Sequence, residues 1–307
     1  MEFKKVGILG LGALGILYGE KLSRVLGKDL YILVDGKRKE RYIKEGVFSN
    51  GEKLDFNYLD YETEEADLDL IIVALKAYHL KETLPKIQKS VKDRTVFISL
   101  MNGVDSEEII GEMYGEEKIL YTVAQGMDAT REGRNLYFKN SGNISVGEKD
   151  RSQSERLKAL TDLFDKSGIE WNKPDDIIHQ MWSKLMLNSG INQVLALYNG
   201  TYEDFHKDPE IRQYTLDIME EVRQIALAKG INITKEDLHK WEGILDSLDP
   251  KMKPSMAQDM EAGRRTEVDT FSGKVCRLGK ELGIETPLNE KMIEDLMKKE
   301  EKNEHKK

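Results

Sequence analysis

An α/β protein in two parts is what the sequence predicts. A parallel-sheet domain is expected over residues 1–173, an all-helical domain over 174–300, and a charged tail over 301–307. Three observations lead there. Short, continuous apolar runs alternate with helix-like segments through the first half, the pattern of a parallel sheet buried on both faces. After Pro174 strand signals stop and only helical periodicity remains. The 307-residue length exceeds what one small core organises.

The elements follow in order. VGILG (6–10), LYILV (30–34), LDLIIVAL (68–75) and TVFISL (95–100) read as the strands of the parallel sheet, with helical periodicity over 13–26 between the first two. ILYTVAQ (119–125), LYF (136–138) and NISVGE (143–148) add strands late in this region, a helix is expected over 152–167, and IEW (169–171) is one further strand. Beyond the boundary, 175–199, 210–229, 234–247, 255–262, 267–282 and 288–300 read as helices, broken at Asp208-Pro209, Asp249-Pro250 and Thr286-Pro287. Residues 298–307 are almost all charged and are expected to fray.

Composition excludes several classes of function. A net charge of −9 and a pI near 5.3 argue against nucleic acid as a partner, which calls for a basic face. The one cysteine, Cys276, allows no intrachain disulfide, and the five scattered histidines offer no pair at ligand spacing, so no metal is expected. A reducing, cytoplasmic compartment fits this usage. Lys4 and Lys5 ahead of the uncharged run Val6–Gly19 imitate a signal peptide, but that run contains five glycines and continues into Glu20 and Lys21. No later run is long enough to span a membrane.

Gly10-Leu11-Gly12-Ala13-Leu14-Gly15 is G-x-G-x-x-G, placed after a strand and opening a helix. In that context the glycines permit a tight turn and close backbone approach, and the helix N-terminus offers amide donors to a pyrophosphate. A dinucleotide-binding Rossmann domain is the expectation. Asp35 ends the second strand, where a carboxylate accepts the ribose 2′-hydroxyl of NAD. Lys37 and Arg38 stand ready to pair instead with the 2′-phosphate of NADP, whereas Lys39 and Arg41 read as ordinary solvated charge.

In the helical half, WSKLMLNSGIN (182–192) places Lys184, Asn188 and Asn192 four residues apart. On an α-helix they share one narrow face, with Trp182, Met186 and Gly190 opposite. Asparagine disfavours helix interiors, so the stripe either satisfies itself within the core, with Lys184 snorkelling, or faces a ligand. The segment PSMAQDMEAGRRTEVD (254–269) adds Ser255, a substrate contact or a helix cap partnered by Gln258, and Glu267, a site carboxylate or a surface partner of Arg264 or Arg265.

Taken together, W-x-K-L-x-x-N-x-x-x-N, then P-S-M-x-x-D and G-R-x-T-E-x-D, with G-x-G-A-L-G at Gly10–Gly15, L-K-A at Leu75–Ala77 and N-G at Asn102-Gly103, make the chain resemble the ketopantoate reductase family over nearly its whole length. The resemblance implies a Rossmann domain, a helical domain and an active site in the cleft between them. It implies reduction of 2-oxopantoate (2-dehydropantoate) to (R)-pantoate with NADPH, toward pantothenate and coenzyme A, and a homodimer through the helical domain. It assigns Lys184 and Glu267 to catalysis, and Asn188, Asn192, Ser255 and Asn102 to the substrate. The cofactor falls to Gly10, Gly12, Ala13, Leu14, Gly15, Lys76 and Asn102, beside Asp35, Lys37 and Arg38. One departure is that Asp35 stands where the family usually has an arginine, which admits NADH.

Ketone reduction needs a hydride on carbon and a proton on oxygen. A lysine ammonium can polarise and protonate the carbonyl, Glu267 can orient that lysine or hold a substrate hydroxyl, and the neutral amides and Ser255 suit hydroxyl and carboxylate groups. Three alternatives compete. The first is an NAD-dependent D-2-hydroxyacid dehydrogenase of the same superfamily, acting on another branched or aromatic 2-oxo acid. The second is a non-catalytic nucleotide-binding sensor, which would have no need of Lys184 and Glu267. The third is a dehydrogenase of sugar acids or imines, which would be expected to lack the lysine–asparagine helix.

Overall fold

The computed structural model describes residues 1–304, which divide into two compact units, residues 1–102 with 106–177, and residues 103–105 with those from 178 onward. In the first unit the strands are β1 (Val6–Leu9), β2 (Leu30–Val34), β3 (Val47–Ser49), β4 (Glu52–Leu54), β5 (Asn57–Asp60), β6 (Leu68–Val73), β7 (Val91–Ser99), β8 (Tyr121–Met127), β9 (Thr130–Glu132), β10 (Asn135–Tyr137), β11 (Ser141–Gly147) and β12 (Trp171–Asn172). Among them run the helices α1 (Ala13–Leu26), α2 (Gly36–Glu45), α3 (Ala77–Thr83), α4 (Ser106–Tyr114) and α5 (Glu155–Lys166).

Five strands form a parallel sheet in the order β5-β2-β1-β6-β7. Its apolar runs are continuous because both faces are covered. Ile8, Ile32, Ile72 and Ile98 enter one buried cluster, while their neighbours Leu9, Leu33, Val73 and Phe97 enter the other. The four expected strands of this sheet are present. The edge strand β5 and the β3–β4 hairpin, turning at Asn50-Gly51, were not anticipated, although Asn-Gly between short strands is a strong hairpin signal. The later strands do not extend the parallel sheet. They build two smaller sheets, β4-β3-β10-β9 and β12-β11-β8, each with antiparallel pairings.

The second unit is helical. It holds nearly all of α6 (Ile177–Leu187), then α7 (Gln193–Tyr198), α8 (Tyr202–Lys207), α9 (Pro209–Ala228), α10 (Lys235–Ser247), α11 (Ser255–Glu261), α12 (Lys274–Leu282) and α13 (Pro287–Glu304). Two π-turns interrupt this pattern, Asn188–Asn192 between α6 and α7, and Asp269–Gly273 ahead of α12. The expected uninterrupted helices over 175–199 and 267–282 are therefore corrected to broken ones, and α8 is additional.

The fraying expected from residue 298 is also corrected. α13 continues to Glu304, because Lys299 donates to the Ala196 and Leu197 carbonyls at 2.9 and 2.5 Å and Glu300 accepts the Thr266 N–H at 2.7 Å. Residues 305–307 of the expected tail lie outside the described residues. No helix among the described residues is long and apolar enough to cross a membrane, and no group of three or more His, Cys, Asp or Glu among them could hold a metal.

Candidate active site

The cofactor candidates collect along the carboxyl-terminal edge of the parallel sheet. β1 pairs with β2 on one side and β6 on the other, Leu9 standing level with Leu33 and Val73. The turns that follow these strands therefore leave from one edge. Strand order runs outward in both directions from β1 and β6, and such a switch point is where open α/β sheets bind ligands.

The glycine turn fits a dinucleotide. Gly10 has φ +102°, and a Cβ there would lie 2.7 Å from the Ala74 carbonyl oxygen. A Cβ on Gly15 would lie 2.1 Å from the Gly10 carbonyl oxygen, so only glycine lets α1 pack this close to the turn. Gly12 is the N-cap of α1 with no side chain to bond the first-turn amides, and nothing lies nearer its Cβ position than Ala74 O at 3.7 Å. Ala13 and Leu14 open the helix. The concave backbone and the uncapped helix end suit a pyrophosphate. Arg131 on β9, missed by the sequence reading, donates to the Leu11 carbonyl and to Gly133 O at 2.9 Å, bringing a guanidinium to this turn.

Asp35 is the N-cap of α2. Its Oδ1 accepts the Arg38 N–H at 2.8 Å and its Oδ2 faces the Arg38 guanidinium at 3.1 Å. The carboxylate and Arg38 thus offset each other at the end of β2, while Lys37 is exposed. Lys39 pairs with Glu64 at 2.6 Å, and Arg41 lies over the Tyr42 ring, so both engage local partners rather than standing as freely solvated charges. Lys76 stands at the N-cap position of α3 after β6, with no side-chain capping bond. Asn102 lies in the loop after β7, whose ends are fixed where Ser99 Oγ accepts the Met101 N–H at 3.2 Å and meets Ser106 Oγ at 2.8 Å.

In the helical unit, Lys184 sits partly buried one turn before the first π-turn, which begins and ends with Asn188 and Asn192. Four α-helical residues overshoot a full turn by about 40°. A π-turn takes about one residue more per turn, so Asn188 and Asn192 do not follow α-helical spacing. The straight-helix geometry expected for the stripe is therefore corrected. Asn192 Nδ2 donates to Asn188 Oδ1 at 3.2 Å, so the two buried amides partly satisfy each other. Trp182 and Met186 are buried as packing residues, and Gly190 lets α9 approach, since a Cβ would stand 2.6 Å from Met219 Cγ.

Glu267 is buried just before the second π-turn. Arg264, one of the two arginines weighed as a surface partner for Glu267, is engaged with Asp259 at 2.7 Å. Ser255 is exposed at the first residue of α11, and the N-cap is Pro254. Its hydroxyl therefore does not cap the helix, and Gln258 bonds the Lys253 carbonyl at 2.9 Å instead. The two π-turns adjoin through Gln193 and Ser272, side chains not singled out from sequence because they fall off the four-residue spacing. The structure thus gathers Lys184, Asn188, Asn192 and Glu267 onto neighbouring segments of one unit. The glycines, Asp35, Lys37, Arg38, Lys76 and Asn102 lie along one sheet edge of the other.

Residues 6–151 match the family model described as "Ketopantoate reductase PanE/ApbA", and residues 176–300 match its C-terminal counterpart. The 2-dehydropantoate 2-reductase of Pyrococcus horikoshii is 29% identical over 296 residues, covering 93% of this chain and 94% of that one. Among solved structures, a 2-dehydropantoate 2-reductase from Geobacter metallireducens superposes with a TM-score of 0.83 at 26% identity, over 96% of this chain and 99% of the other. A D-mandelate dehydrogenase in complex with NADH gives 0.87 at 25% identity, over 97% and 99%.

Proposed function

From the premise that the chain belongs to the ketopantoate reductase family, an NAD(P)H-dependent 2-oxo acid reductase, we propose that it reduces 2-dehydropantoate to (R)-pantoate with NADPH. The observation that carries this reading is the adjoining pair of π-turns, which sets Lys184, Asn188 and Asn192 on a segment neighbouring that of buried Glu267. A bound nicotinamide would supply the hydride.

The chain's own residues would do the rest. The Lys184 ammonium polarises the ketone and gives its proton to the carbonyl oxygen as the alcohol forms. Glu267 holds that ammonium or the substrate hydroxyl in place, and Asn188, Asn192 and Ser255 bond the hydroxyl and carboxylate. Gly10, Gly12, Ala13, Leu14 and Gly15 would cradle the pyrophosphate, with Lys76 and Asn102 on the same edge. Arg38, seated on Asp35, would meet the 2′-phosphate. The resemblance extends the proposal to a homodimer, which sedimentation would show as twice the chain mass.

A second reading, an NADH-dependent D-2-hydroxyacid dehydrogenase, is favoured by Asp35 at the end of β2, where a carboxylate suits a ribose diol. The likeness to a mandelate dehydrogenase solved with NADH points the same way. Steady-state rates with 2-dehydropantoate and a panel of branched and aromatic 2-oxo acids, with NADPH and NADH compared, decide between them. A kcat/KM highest for 2-dehydropantoate with NADPH is expected. A strong preference for NADH with an aromatic 2-oxo acid would move the assignment to the second reading.

A further inference from the structure

We propose that Gln193 is a positioning residue for catalysis, coupling the two π-turns so that the Lys184–Asn192 segment and the Glu267 segment hold one geometry. The inference rests on the functional reading above. Gln193 Nε2 donates to the Ser189 carbonyl at 2.6 Å, inside the first π-turn, and to Ser272 Oγ at 2.7 Å, inside the second. Its Oε1 faces the Ser272 N–H at 3.4 Å. The amide orientation is dictated by the Ser189 carbonyl, which only a donor can serve. Ser272 Oγ donates in turn to Asn289 Oδ1 at 2.7 Å, and Asn289 Nδ2 donates to Glu221 Oε2 at 2.7 Å. Glu221 also accepts the Leu288 and Asn289 N–H groups at 2.9 and 3.0 Å.

Gln193, Ser272 and Asn289 are wholly buried. Each of these side-chain donors has an acceptor, and a satisfied polar network in a low-dielectric interior is rigid and specific. A π-turn disturbs the α-helical hydrogen-bond ladder and is costly to keep in isolation. Here the Ser189 carbonyl is taken by a side chain whose other partner is the second π-turn. Each irregular turn thus stabilises the other, and the residues proposed for catalysis ride on both.

The test combines peptide-resolved hydrogen exchange with kinetics on the full-length Gln193→Met variant, which keeps the volume and removes the bonds. Exchange in segments 188–192 and 269–273 is expected to rise together. With 2-dehydropantoate and NADPH, kcat is expected to fall at least tenfold, assayed well below both melting temperatures, while KM for NADPH stays within about twofold. Ser272→Ala breaks the same bond from the opposite side with a smaller change. It should reproduce the joint rise in exchange if the methionine variant does not fold. Exchange that rises in only one segment, or an unchanged kcat, overturns the proposal. If the wild-type chain reduces none of the 2-oxo acids, the functional reading fails, and the exchange measurement still judges the coupling alone.

Discussion

Lys184 is partly buried near the end of α6, one turn before the first π-turn. Lys184→Ala should lower kcat by roughly 10²–10⁴-fold, the usual range for general-acid help, with KM for the cofactor little changed. Near-full turnover by the variant from pH 6 to 8 would remove the lysine from the reaction. At the end of β2, Arg38 and Asp35 neutralise each other. On the NADPH reading, replacing Lys37 and Arg38 by alanine should cut kcat/KM for NADPH at least tenfold and leave the NADH value nearly unmoved. On the NADH reading the wild type already prefers NADH, and Asp35→Ala erodes that preference. Asp35→Ala also removes an N-cap worth about 0.5–2 kcal/mol, so each preference is read as a ratio of cofactors at a temperature well below melting. These residues could be singled out from sequence because their spacing is a statement about chemistry. Gln193 and Ser272 were not, since a hydrogen bond between side chains 79 positions apart leaves no local pattern.

Strand β6 carries an acidic residue in an otherwise apolar run, and Asp69 is buried there because it fastens the start of β1. Its carboxylate accepts the Lys4 and Lys5 N–H groups at 3.0 and 2.9 Å and the Arg94 guanidinium at 2.7 Å. Burial pushes its pKa up, but these donors outweigh burial and hold it below the usual carboxylate range. A carboxyl whose folded pKa is depressed adds stability above its unfolded pKa of about 3.9 and loses it as pH falls through the folded value. Asp69→Asn should therefore cost about 1.5–3 kcal/mol at pH 7, the range for hydrogen bonds to charged groups. The difference from wild type should shrink as pH drops from about 5 toward 2. Urea midpoints of both proteins at pH 7 and pH 3 check this, and an equal gap at both values would contradict it. At this scale the long apolar strands and the longer helices could be read from sequence, whereas the short α8 was missed despite its Thr201–Asp204 capping box. The polar edge strand β5 and the π-turns could not, because their formation depends on partners elsewhere in the unit.

The whole chain follows the expected order, a parallel-sheet unit and then a helical one, except for three residues. Gly103–Asp105 belong to the helical unit. Asp105 pairs there with Lys274 and, at 3.7 Å, with Arg277, and Gly103 lies against the Thr270 side chain of the second π-turn. No periodicity announces such an excursion, since it is too short to carry a pattern. The Lys274 side chain is only 12% exposed, so a helical fragment of residues 174–307 made alone would take the Asp105 carboxylate away from a largely buried ammonium. That fragment should unfold at lower urea than it does with Lys274→Met, which leaves no charge to neutralise. Equal midpoints would show that Asp105 is dispensable to the unit. For recombination between relatives, the consequence is that a single crossover near residue 173 separates residues 103–105 from their partners Lys274 and Arg277. A chimaera that keeps its helical half intact must inherit the codons for 103–105 from the same parent as Lys274 and Arg277, as an inserted patch inside the other parent's N-terminal half.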